Sequence, residues 1–209
     1  SSVLKKQGNE VKTIFLKFSE DYKKFYPKKI LQQITHLSKD SDLIGINSFA
    51  STAPRAIQVI KYLKSKLPKK PIVWGGIHAT ISPEKCIEHC DIVAVGEAED
   101  AILDLTTALE NNKPINKIPN LWVRDKKTNN ILKNPVRSLI DDLDTLPPVD
   151  YNIENHYILE KNKLIPFREQ DLNGEIFFLT GRGCPYGCDY CSNDFLNKLY
   201  EGKRKKIVR

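Results

Sequence analysis

Three cysteines within eight residues, Cys184, Cys188 and Cys191, carry the strongest chemical signal in the sequence. They lie in the run Thr180-Gly181-Arg182-Gly183-Cys184-Pro185-Tyr186-Gly187-Cys188-Asp189-Tyr190-Cys191-Ser192, with the spacing C-x3-C-x2-C. Three thiolates on one tight loop can hold three irons of a cubane [4Fe-4S] cluster and leave the fourth iron open to a substrate. A catalytic metal with a free coordination position works on the same logic. Gly181, Gly183 and Gly187 give the backbone the freedom such a wrap requires. Two other readings are a zinc site and spectator thiols. Structural zinc prefers four protein ligands, and no Cys or His follows Cys191. An electron-transfer cluster of the ferredoxin kind would also need a fourth cysteine close by. The open cluster is therefore the favoured reading.

The remaining cysteines, Cys86 and Cys90, are spaced i,i+4 on an expected helix and so face one way. A metal pair is conceivable from that spacing, but a pair of small buried hydrophobes is the plainer reading. Five cysteines, an odd number with three crowded together, argue against a disulfide framework and for a reducing compartment.

The elements that must position these groups follow from periodicity. Residues 11–17 and 42–47 read as strands, residues 71–74 as a strand stopped by Gly75-Gly76, and residues 91–95 as a strand ended by Gly96. Residues 30–37 read as a helix, and residues 56–67 as an amphipathic helix with Ile57, Ile60, Leu63 and Leu67 on one face. Ser82-Pro83 opens a helix to about residue 89, and residues 99–110 form another. Short, nearly all-apolar strands alternating with helices predict an α/β domain with a Rossmann-like doubly wound parallel sheet. Ligands of such sheets bind at the carboxyl ends of the strands. The loops there, 48–54, 75–80 and 96–99, are rich in Gly, Ser and Thr. Residues 121–123 and 131–132 flank a polar turn and predict a β-hairpin, and the Pro-Pro and acidic stretch 141–152 reads as a linker. The pattern restarts with an expected strand over 175–180, directly before the cysteine loop. The expected organisation is thus an α/β domain over 1–113, a hairpin and linker over 114–173, and a cluster-bearing segment over 174–209. Trp74 and Trp122 read as core or interface residues.

Composition sets the outer bounds. The 209 residues, 40% hydrophobic and 28% charged, suit one ordinary domain and part of another. No run approaches the ~18 apolar residues of a membrane span, and residues 1–17 lack a signal-peptide pattern, so a cytoplasmic protein is expected. A net charge of +7, concentrated in Lys203, Arg204, Lys205, Lys206 and Arg209, reads as a solvated tail. It lacks the interleaved aromatics of a nucleic-acid face, so no nucleic-acid partner is expected. A chain that starts Ser-Ser and contains no Met reads as a fragment of a longer protein.

The cysteine run, with Tyr190 before its last Cys, resembles the radical S-adenosylmethionine (SAM) family. Its flanks, with Val73-Trp74-Gly75-Gly76-Ile77-His78-Ala79-Thr80, Gly96-Glu97-Ala98-Glu99 and Asp142-Leu143-Asp144-Thr145-Leu146-Pro147, are similar to the subgroup with an N-terminal cobalamin-binding (B12-binding) domain. The resemblance covers roughly residues 9–195. It implies that Cys184, Cys188 and Cys191 bind a [4Fe-4S] cluster at the start of a partial (β/α) barrel, and that Tyr190 packs near the adenine of S-adenosyl-L-methionine. It implies cobalamin across the strand ends, contacted by Ser48, Ser51, Thr52, Gly75, Gly76, His78, Gly96 and Glu97. The Asp-x-His-x-x-Gly motif that supplies a lower axial histidine in other cobalamin proteins is absent, and His78 is not assigned that role. Domains of this subgroup begin with a further strand and helix before the stretch matching residues 11–17. About ten residues precede it here, so the α/β domain is expected to be N-terminally incomplete.

The implied activity is reductive cleavage of SAM to methionine and a 5′-deoxyadenosyl radical that abstracts hydrogen from an unreactive C–H. Cobalamin-dependent methyl transfer or related C–H chemistry would follow, on a small-molecule or peptide substrate, with flavodoxin or ferredoxin as electron donor. The chain alone, lacking most of a barrel, is expected to be inactive. The rival readings are a cobalamin- or nucleotide-binding α/β module without turnover, and an electron-transfer iron-sulfur protein.

Overall fold

A computed structural model describes residues 1–16, 25–125, 128–172 and 179–209. In chain order the elements are α1 (Ser2–Lys6), β1 (Thr13–Phe15), α2 (Lys28–Ser38), β2 (Ile44–Asn47), α3 (Ala53–Lys66), β3 (Ile72–Gly75), α4 (Ile77–Ile81) and α5 (Pro83–Ile87). There follow β4 (Ile92–Ala94), α6 (Glu99–Glu110), β5 (Leu121–Arg124), β6 (Ile131–Lys133), β7 (His156–Glu160), β8 (Lys163–Pro166) and α7 (Ser192–Leu199).

The principal sheet has the order β2-β3-β4-β5-β6. Its first three strands are parallel, and β5 and β6 are antiparallel additions. Side chains alternate across it as strand geometry requires. Ile72, Trp74 and Val93 join Ile44 on one face, whereas Val73, Ile92, Ala94, Leu121 and Val123 fill the other. The first face is covered by α2 through Ile30, Leu31 and Ile34, by α3 through Ala56, Val59, Ile60 and Leu63, and by α5. On the second face, α6 presents Ala101, Leu105 and Ala108, at i, i+4 and i+7. Trp74 is completely buried.

This sheet differs from the doubly wound parallel sheet expected from the sequence. The order β2-β3-β4 contains no reversal, so right-handed crossovers place α3 and α5 on the same face. The opposite face is covered by α6, after which the chain returns antiparallel. The hairpin expected at 121–132 is present, and it extends the main sheet through the pairs Ile92–Val123 and Val93–Trp122.

The strand expected at 11–17 appears as β1, with Lys17 outside the described residues. It pairs with β7 in a second sheet of order β1-β7-β8 rather than with the main sheet. The β7–β8 hairpin, absent from the sequence expectations, turns through Lys161 and Asn162, both in the left-handed region (φ 44° and 65°) that a tight two-residue hairpin needs. A cleft of about 1400 Å3 lies between β1 and β2, the terminal strand of the main sheet among the described residues, lined by Thr13, Ile14 and Phe15 and by Gly45, Ile46 and Asn47. Residues 175–178 of the strand expected before the cysteine loop lie outside the described residues. Residues 179–180 have no regular structure. Among the described residues, no helix is long and apolar enough to cross a membrane.

Candidate functional site

The carboxyl ends of β2, β3 and β4 bring together the groups singled out there in the sequence. After β2 the chain runs through Ser48 and an exposed Phe49 into a single helical turn, Ala50–Thr52. Ser48 is buried, and its hydroxyl accepts a hydrogen bond from Trp74 Nε1 (3.1 Å). Thr52 Oγ1 accepts from Phe49 N (3.1 Å), and Ser51 faces solvent. After β3, the side chain of Asn47 stands where a Cβ on Gly76 would be. Gly75 has only an ordinary contact there, with Ala94. The expected 75–80 loop is instead mostly α4. His78 lies on that helix with its ring 5.8 Å from Trp74, and burial, with the charge of Lys85, lowers its pKa.

Thr80 ties these loops together, a role that the sequence reading missed. Its hydroxyl accepts from Gly96 N (3.0 Å) and donates to Gly76 O (2.9 Å). A hydroxyl on the last turn of a short helix after a Gly-Gly pair is the signal that could have pointed to it. Gly96 has φ +80°, and the Tyr200 hydroxyl occupies the space a Cβ would take. No L side chain fits there without moving the tyrosine. Glu97 N donates to the same Tyr200 hydroxyl (2.7 Å).

The cysteine loop rests on this end of the sheet. It is irregular over residues 179–191 and leads into α7, which packs against α4. Cys191 N donates to Cys188 O (2.9 Å), and Asn197 Nδ2 donates to Cys184 O (3.0 Å). All three thiols are free; Cys188 is exposed, and Cys184 and Cys191 are half-buried. Tyr190 is 94% exposed. Among the described residues, no group of three or more His, Cys, Asp or Glu side chains converges as a metal site, so the three sulfurs are not gathered into one. As a donor set they nevertheless fit a three-thiolate site: all are free, at least partly accessible, and carried on one loop held at Cys184 and at the 188–191 turn.

The fit to cobalamin is more selective. Ser48 and Thr52 already bond protein partners, and Glu97 is ion-paired with arginines from the C-terminal segment. Exposed groups at the same strand ends are Phe49 and Ser51, with Ile81 nearby at the end of α4. The basic C-terminal residues do not form a free tail. Lys203 Nζ donates to Val136 O (2.7 Å), Lys205 pairs with Asp141 (2.8 Å), and Arg209 is buried against Glu97.

A family model described as "B12 binding domain" matches residues 1–106. The chain is 30% identical over 170 residues to an uncharacterized methyltransferase of Pyrococcus horikoshii, covering 79% of this chain and 33% of that protein. It is 26% identical over 156 residues to a cobalamin-dependent radical SAM methyltransferase of Streptomyces tokunonensis, covering 73% of this chain and 22% of the relative. In fold it is similar to the cobalamin-dependent S-adenosylmethionine radical enzyme OxsB, solved with aqua-cobalamin and S-adenosylmethionine bound. That likeness has a TM-score of 0.51 at 15% identity, over 66% of this chain and 24% of OxsB. The chain spans about a third or less of the length of these relatives.

Proposed function

The chain belongs to the B12-binding domain family, and on that premise we propose that it is the cobalamin-domain and cluster-loop portion of a radical SAM enzyme. The observation that carries the reading is a C-x3-C-x2-C loop of free, accessible thiols seated at the strand-end loops of a B12-binding domain. When bound, the cluster supplies the electron that cleaves SAM to methionine and a 5′-deoxyadenosyl radical, and cobalamin supplies a transferable methyl group.

In this reading Cys184, Cys188 and Cys191 are the cluster ligands, and the exposed ring of Tyr190 packs against the adenine of SAM. The loops at the ends of β2 and β3 bind cobalamin, with Ser51 at the surface and the small residues Gly75 and Gly76 half-buried. The buried Trp74–Ser48 hydrogen bond holds those two strand ends in register. Methyl transfer to an unactivated carbon is the reaction class favoured, since the relatives include methyltransferases.

The test is anaerobic reconstitution of the full-length protein with iron and sulfide, followed by EPR of the reduced cluster with and without SAM. The expected result is a cluster signal that changes on adding SAM. An unchanged signal contradicts the open iron. A cobalamin absorbance titration of the same preparation tests the α/β domain separately.

A further inference from the structure

Glu97 and Glu99, at the β4–α6 turn, hold two arginines that come from more than eighty residues downstream. Arg182, two residues before Cys184, places Nη1 3.3 Å from Glu97 Oε2 and Nη2 2.7 Å from Glu99 Oε1. Arg209 gives both terminal nitrogens to the two oxygens of Glu97, and its side chain is 3% exposed. The two arginines are also joined through their backbones: Arg182 N donates to Arg209 O (3.0 Å), and Arg209 N to Arg182 O (2.9 Å). Gly183 makes this closeness feasible, because its φ is +102° and Ile207 O lies where a Cβ would be. Tyr200 adds a third hold through its hydroxyl, which accepts from Glu97 N.

Resting on the reading of the cysteine loop as the cluster loop, we propose that Glu97 and Glu99 form a socket that positions this loop through Arg182. Both oxygens of Glu97 are engaged by guanidinium groups, so the structure assigns this carboxylate to docking rather than to the cofactor wall expected from sequence. An isolated surface ion pair would do little. Here four charges of balanced sign are shared in a network, and Arg209 is buried. Removing a partner from a buried charge is costly. Guanidinium planarity also fixes direction as well as distance. Glu97 and Glu99 are thus positioning residues: they touch no thiol, yet they set where the segment carrying Cys184 leaves the α/β domain.

The test uses the cluster-free protein, so its outcome does not depend on whether a cluster forms. In the double variant E97Q/E99Q, the hydrogen-bonded amides of Arg182, Cys191 and Arg209 should exchange about tenfold faster or more, while those of β2, β3 and β4 keep their rates. R182K, which keeps the charge, should recover part of the protection, and R182Q should not. If the double variant loses protection throughout the sheet, R182Q alone decides, since it leaves Glu97 paired with Arg209. Wild-type exchange at the amides of residues 182, 191 and 209 in R182Q would overturn the proposal. In the reconstituted protein the spectroscopic readout is the EPR change on adding SAM. It should weaken in R182Q at unchanged iron content. If the iron binds and the SAM response is identical to that of the wild type, the positioning role fails while the cluster assignment stands.

Discussion

Cys86 and Cys90 are completely buried under the parallel sheet, whereas Cys188 is exposed and Cys184 and Cys191 are half-buried. The Cys90 thiol donates to Ile92 O (3.1 Å) and Cys86 O (3.3 Å), so its polarity is used inside the protein. Burial pushes the Cys86 thiol up to about 11 and that of Cys90 up to about 12, the latter with help from Cys86 and Asp91. A thiol held neutral is a poor ligand and a poor nucleophile. The loop thiols have water on at least one side and glycines around them. One residue type therefore serves as packing in one region and, in the reading proposed above, as a ligand set in the other. Environment decides between them, because spacing alone offers a possible metal pair at both places.

The largest expected effect lies in the loop. Replacing Cys184, Cys188 or Cys191 by Ala should abolish the [4Fe-4S] signal, whereas Cys86→Ala should keep the iron content of the wild type. Iron and sulfide analysis after reconstitution checks this, and cluster loss in C86A would break the contrast. The next effect lies in the core. Trp74→Ala should destabilise the fold by about 3–5 kcal/mol by leaving a large cavity. It also leaves the buried Ser48 hydroxyl without its donor. Chemical denaturation followed by far-UV circular dichroism measures it.

A smaller effect depends on pH. Unfolding returns Cys86 and Cys90 to their ordinary value near 9, while the folded values are about 11 and about 12. Their contribution to stability is complete below about pH 9 and is lost as pH rises toward 11–12. The double variant C86A/C90A should therefore lose less stability than the wild type between pH 8.5 and 10.5, about the range of the shift. Parallel losses would show that the buried thiols do not titrate as described. The smallest effect is at Tyr190. Its ring is 94% exposed, so Tyr190→Ala should change stability by no more than about 0.5 kcal/mol. Any effect on SAM affinity then reports contact with SAM rather than folding.

Much of the α/β domain is legible in the sequence, for physical reasons. The β-branched run Ile72-Val73 before Trp74, closed by Gly75-Gly76, reads as a buried strand and forms β3, and α6 spans the residues its apolar spacing predicts. Ser82-Pro83 marks the start of α5, although that helix ends at Ile87 and leaves Cys90 in the following turn. Strand order was not legible, because an all-apolar strand carries no information about which neighbour it pairs with. The β7–β8 hairpin was hidden for a similar reason: its strands are short, and its turn is Lys-Asn rather than Asn-Gly. At the candidate site the three loop cysteines stand out by spacing. The partners of Glu97 do not, since Arg182 and Arg209 lie 85 and 112 residues downstream. Long-range pairing is what a motif cannot encode.

Assignment of the cluster to the loop cysteines, and not to the buried pair, is the proposal on which the others depend. Anaerobic alkylation of the native protein, mapped by mass spectrometry before and after reconstitution with iron and sulfide, tests it most directly. The expected results are modification of Cys184, Cys188 and Cys191 before reconstitution, protection of all three afterwards, and no modification of Cys86 or Cys90 in either state. Loop cysteines that remain fully reactive in a protein that has taken up iron would contradict it.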